Sequence, residues 1–174
     1  KQFKSWLKNF EHSIWDIAID ELDRLWLATS GGIFVYQKDN DSQLKRVTTV
    51  LKGSFFDRIL YTDNRMWLKS SDNFLHWIDT NDFKNHSIKL EDSTLKTVEP
   101  LFIDSKRKLW LRANNGLIHF DLNTNTMSRP SNNALVNGNN FSSVIETEKE
   151  FWLSSIEYGL ITLDKQTYQV LQQV

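Results

Sequence analysis

The chain has 174 residues, 40% of them hydrophobic and 25% charged, the proportions of a folded globular protein rather than a disordered one. Lys plus Arg number 21 against 22 Asp plus Glu, a formal net charge of −1 with no basic run, which argues against a footprint on nucleic-acid phosphates. The lack of cysteine excludes disulfides and thiolate chemistry, and no apolar stretch approaches the roughly 20 residues of a membrane-spanning helix, so direct membrane insertion is not expected. The N-terminal run Lys1 to Trp6 has no signal-peptide core and no initiator Met, and it reads as the start of a piece cut from a longer or processed protein.

Lys1 to Leu7 resembles an outermost strand, and residues 1–10 are read as the remnant of a preceding repeat. The first full unit follows at about 11–51. Its apolar strand Ile17 to Ile19 is closed by the polar turn Asp20 to Arg24, then comes Leu25-Trp26-Leu27, a turn Thr29 to Gly32, and a second apolar strand Ile33 to Tyr36. The second unit, about 55–91, repeats this with Ile59 to Thr62, a shorter Asp63-Asn64 turn suited to a tight hairpin, Met66-Trp67-Leu68 and Ser71 to Asn73. The third, about 97–130, has Leu101 to Ile103, Asp104 to Lys108, Leu109-Trp110-Leu111, Asn114 to Gly116 and Leu117 to Phe120. The fourth, about 139–174, has Val144-Ile145, Glu146 to Glu150, Phe151-Trp152-Leu153, Glu157 to Gly159 and Leu160 to Leu163. A less apolar final strand closes each unit: Leu44 to Leu51, His86 to Leu90, a weak segment near Met127, and Tyr168 to Leu171. The two prolines, Pro100 and Pro130, are expected in connections between units.

The four tryptophans in this context, Trp26, Trp67, Trp110 and Trp152, stand 41, 43 and 42 residues apart. A period in the low forties built from strands is the length of a four-stranded propeller blade. The fold class is therefore all-β: four four-stranded antiparallel sheets arranged as β-propeller blades. In Leu25-Trp26-Leu27-Ala28 both strand faces are apolar, as a sheet sandwiched between neighbours requires. All four Trp are assigned a structural role, wedged between blades, where each buries ~150–250 Å². Four blades can close as a small ring or form an arc of a larger one, and the arc is favoured. Its exposed ends would be covered by remaining blades of a parent propeller or by a second copy.

The units resemble the two-component regulator propeller repeat: an apolar strand, Asp, a turn, Leu-Trp, and a Gly-Leu/Ile step. The likeness is strongest over Ile17 to Tyr36 and Phe102 to Asp121. It implies the periplasmic sensor region of a bacterial hybrid histidine kinase, many members of which respond to glycan fragments, with localisation in the periplasm. The resemblance thus implies a non-catalytic ligand-sensing segment; a general protein-interaction scaffold is the alternative, and a propeller hydrolase or lyase the third reading.

The four histidines, His12, His76, His86 and His119, lack zinc-ligand spacing, and no metal or cofactor is expected. Asp20, Asp104 and Glu146 recur six residues before their Trp and are read as turn caps rather than a catalytic pair. Strand alternation gathers the loops after the Trp strands and the connections between units on one face. The candidate ligand-binding residues there are Ser30, Phe56, Arg58, Lys69, Asp72, Arg112, Asn114 and Glu157. The Asn-rich run Ser131 to Asn140 is a long loop between units.

Overall fold

The computed structural model describes residues 10–137 and 140–174; the strand expected at Lys1 to Leu7 lies outside them. The described residues form sixteen strands and no helix. They run β1 (Ile14–Ile19), β2 (Leu25–Thr29), β3 (Gly32–Lys38), β4 (Leu44–Val50), β5 (Ile59–Thr62), β6 (Arg65–Leu68), β7 (Phe74–Asp79) and β8 (Asn85–Lys89). The second half continues with β9 (Val98–Ile103), β10 (Lys108–Ala113), β11 (Gly116–Asp121), β12 (Thr126–Ser128), β13 (Phe141–Glu146), β14 (Glu150–Ser155), β15 (Gly159–Asp164) and β16 (Val170–Gln173). Each consecutive group of four strands is one antiparallel meander sheet, β1–β4, β5–β8, β9–β12 and β13–β16, referred to as blades 1 to 4. The chain divides into two compact units, residues 1–68 with 77–86 and residues 69–76 with 87–174.

The core of the first unit follows from strand alternation. In register across blade 1, Ala18 faces Trp26 and Trp26 faces Val35, so these three share one side of the sheet. That side is buried on Ile59, Met66, Leu68 and Ile78 of the next blade, with Phe83 packed on the Trp26 ring. Trp67 is also fully buried; its ring meets Trp77, and the Arg65 guanidinium lies over both. The Asp63-Asn64 hairpin takes positive φ at both residues, 51° and 58°, the backbone of the tight turn its residue pair suggested.

In the second unit Trp110 sits in a cluster with Phe141, Val144, Phe151, Leu153, Ile161 and Leu163, so the Trp side of blade 3 is buried on the Leu153 side of blade 4. Phe151 packs on Trp110, and Tyr168 stacks on Phe151 at 5.7 Å. The reversal into β11 is made by Gly116 at φ 109°, as Gly32 at φ 125° makes it in the first unit, a conformation side chains disfavour.

Two expectations are corrected. Trp152 is not wedged between sheets: it is 41% exposed, because it lies on the side of blade 4 opposite the buried cluster. Pro100 lies inside β9, opposite Leu111 and beside an irregularity in the pairing, rather than in a connection. A proline is tolerated there because β9 ends its sheet and needs no second partner for its backbone.

The acids six residues before the tryptophans do more than cap turns. Asp20 Oδ1 accepts the backbone N–H groups of Leu22 and Arg24, while Oδ2 accepts Arg24 Nε and Trp26 Nε1, both at 2.7 Å. Asp104 likewise accepts Lys106 N and Lys108 N through Oδ1 and Trp110 Nε1 through Oδ2 at 3.1 Å. Each carboxylate ties a hairpin turn to the indole of its own blade. Glu146 breaks the pattern, accepting instead from Ser105 and pairing with Lys165 at 2.8 Å.

Candidate functional site

Within the second unit, an open cleft of about 360 Å³ is lined by Lys69, Thr97, Glu99, Arg112, Ala113, Asn114 and Asn140. Its geometry starts with register. Arg112 on β10 lies directly across from Glu99 on β9, and neighbouring strands place such pairs close enough to join. Arg112 Nη2 donates to Glu99 Oε2 at 2.5 Å. Arg112 Nη1 donates to Asn140 Oδ1 at 3.2 Å and to the Phe141 carbonyl at 3.0 Å, which ties blade 3 to the loop entering β13. Lys69 is brought beside the same carboxylate, Nζ to Oε2 at 3.7 Å, by the backbone bonds of its neighbour Ser70 to Val98 at 2.9 and 3.1 Å.

Glu99 is buried, so its charge is held away from water and must be matched by the two cations and their hydrogen bonds. Arg112 is half-buried, one side on the carboxylate and the other on the cleft. Asn114 has a framing role: its Oδ1 accepts Lys96 N at 2.8 Å and its Nδ2 donates to the Thr94 carbonyl at 3.3 Å, fixing the loop that forms one wall. A carboxylate acceptor, guanidinium and ammonium donors and amides that do both, in one concave place, can bind a polyhydroxylated or polar ligand through several hydrogen bonds.

The structure thus brings together Lys69, Arg112 and Asn114 of the expected residues. The others are elsewhere. Asp72 accepts Phe74 N and meets the His76 ring at 3.2 Å, a local turn contact. Partial burial raises the Asp72 pKa, but the Phe74 amide and His76 outweigh it and hold the carboxyl below its ordinary value. Glu157 is exposed in the β14–β15 turn and donates its own N–H to Ser155 Oγ. Ser30, Phe56 and Arg58 belong to the first unit, where Ser30 Oγ accepts Ser13 N and Phe56 N donates to the Thr29 carbonyl. Sequence reasoning missed Glu99, Thr97 and Asn140. Glu99 had a usable signal, an acid placed to pair across the strand with Arg112, but the irregular pairing beside Pro100 hides that register.

Two of the histidines, His119 and His86, pack on aromatic rings. His119 is buried edge-on against Trp110, with ring centres 4.1 Å apart, and burial, with Lys108 and Lys106 adding to it, pushes its pKa down to about 3. His86 stacks on Trp77 at 5.5 Å. Among the described residues no three His, Asp or Glu side chains cluster to hold a metal ion.

No protein-family profile matches the chain, and no curated protein sequence does either. Solved structures do match it. The extracellular domain of BT4673 from B. thetaiotaomicron, described as a hybrid two-component system, is similar at 22% identity and TM-score 0.68 over 92% of this chain and 23% of that one. The Pan2 WD40 domain of Neurospora crassa is similar at 16% identity and TM-score 0.67, over 94% of this chain and 50% of that one. A streptogramin B lyase is similar at 17% identity and TM-score 0.64, over 96% of this chain and 56% of that one. At these identities the likeness establishes the fold, that of β-propeller blades, and this chain spans about a quarter of the length of the BT4673 domain.

Proposed function

We propose that this chain is a ligand-sensing propeller segment of a two-component sensor, facing the periplasm, and that the Lys69–Glu99–Arg112 cleft recognises a glycan fragment. The observation that carries this reading is the buried Glu99 carboxylate, held by Arg112 and Lys69 at the floor of an open polar cleft where hairpin turns and the loop between blades meet. Such an ion pair costs more to bury than a hydrophobic replacement, so a recognition task explains its presence better than stability does. Likeness to extracellular domains described as parts of two-component systems supports the same reading. A sugar ring suits the cleft because vicinal hydroxyls both donate and accept, matching a carboxylate beside a guanidinium.

The test is thermal-shift screening against a panel of neutral and acidic oligosaccharides, repeated with Arg112→Lys. Lysine keeps the charge but loses the planar fork that spans Glu99, Asn140 and the Phe141 carbonyl. A ligand that raises the wild-type midpoint and loses at least tenfold affinity in the variant supports the proposal. A panel with no shift, or a shift that Arg112→Lys leaves unchanged, overturns it.

A further inference from the structure

We infer that the Lys69–Glu99–Arg112 cleft selects a sugar bearing one negative charge, a uronate carboxylate or a sulfate ester, and that Lys69 is the residue that reads this charge. The inference rests on the glycan reading of the cleft and narrows it. Among the residues that line the cleft, Lys69 and Arg112 are cationic and Glu99 alone is anionic, so the lining carries one positive charge in excess. The chain as a whole has a formal net charge of −1, so the excess is a local feature and not a reflection of composition.

Exposure separates the charges further. The Glu99 side chain is 7% exposed, against 29% for Lys69 and 26% for Arg112, so the anion is sunk in the floor while the cations face the opening. Both cations converge on one oxygen of Glu99, Arg112 Nη2 at 2.5 Å and Lys69 Nζ at 3.7 Å, and a single carboxylate charge offsets only one of them. Arg112 is committed to the wall: Nη2 is held by Glu99, and Nη1 by Asn140 Oδ1 and the Phe141 carbonyl. Lys69 is the cation able to turn, because an ammonium is a compact charge with three donors on a flexible stem and can meet a second anion while it stays beside Glu99. The Thr97 hydroxyl and the Asn140 amide, also in the lining, suit the sugar's hydroxyls. A neutral sugar leaves the excess charge of this partly desolvated place unmatched, whereas one sugar anion cancels it.

Titration calorimetry with matched pairs of short oligosaccharides tests this. The probes are galacturonate and glucuronate oligomers, each beside its carboxyl-reduced counterpart, and a sulfated oligosaccharide beside its desulfated form; the pairs distinguish a carboxylate from a sulfate as the source of the charge. At least one acidic member is expected to bind at least about fivefold more tightly than its neutral twin. That preference shrinks as NaCl is raised from about 50 to about 500 mM, because salt screens a partly exposed charge. In Lys69→Met the ratio of the two affinities falls to about one, and in Lys69→Arg, which keeps the charge, the preference returns. Far-ultraviolet dichroism confirms that each variant keeps its sheets, and the salt dependence of the wild-type chain decides the matter should Lys69→Met fail to fold. Neutral and acidic twins that bind equally, with affinity still dependent on Arg112, overturn this inference and leave the glycan reading standing. An acidic preference that survives Lys69→Met, or one indifferent to salt, overturns it as well, and a full set of probes without binding overturns both readings.

Discussion

Replacing Asp104 by asparagine tests the idea that a carboxylate locks each hairpin turn to its indole. Asparagine fits the same volume and can still accept Lys106 N and Lys108 N through its oxygen, but its amide nitrogen then faces Trp110 Nε1, donor against donor. Hydrogen bonds to a charged group contribute ~1.5–3 kcal/mol, and a buried N–H left without a partner costs ~1–3 kcal/mol. Both penalties fall on one contact and overlap, so the loss of stability is expected at about 2–3 kcal/mol. Urea unfolding followed by far-ultraviolet dichroism measures it, because the signal does not depend on the indole being varied. A cycle with Trp110→Phe isolates the bond itself: the double variant is expected to be less damaged than the sum by about 1–2 kcal/mol. Glu146→Gln with Trp152→Phe serves as the control and shows no coupling, since Glu146 bonds Ser105 and Lys165 instead of its indole. A cost below about 0.5 kcal/mol for Asp104→Asn, or additivity in the cycle, would refute the reasoning.

Three further outcomes follow from the packing. Trp110→Ala, in a fully buried site, is expected to cost ~3–5 kcal/mol, whereas Trp152→Ala at a partly exposed site costs about 1–2 kcal/mol; equal losses in urea titrations would contradict the assigned faces. Gly32→Ala places a Cβ 3.0 Å from the Val50 and Leu51 carbonyls at φ 125°, so it is expected to lower the melting midpoint by several degrees, and an unchanged midpoint would show that the turn relaxes freely. His119 stays neutral in the fold down to about pH 3 but titrates near 6.5 when unfolded. The unfolded chain alone therefore takes up this proton below pH 6.5, and stability falls as the pH drops from about 6.5 toward about 3, by at most tenfold in the folding equilibrium per pH unit. His119→Phe removes that contribution above pH 3, and an unaltered pH slope in the variant would sink the assignment.

Fold class was legible in the sequence because its signals are local. Trp phase, alternation along Leu25-Trp26-Leu27 and turn pairs such as Asp63-Asn64 depend only on strand geometry and on which residues tolerate a reversal, and four copies reinforce one another. The site was half legible for the same reason. Lys69 and Arg112 are placed by their distance from a Trp, but Glu99 is chosen by pairing between strands, which an irregularity beside Pro100 shifts. Tertiary structure alone decided what identical motifs become. Trp110 and Trp152 stand in the same local context, and their burial differs because Trp110 faces the cluster shared with blade 4 whereas Trp152 lies on the side of blade 4 turned away from that cluster. Burial is a property of what lies opposite a residue, and the residue's own neighbours along the chain do not encode it.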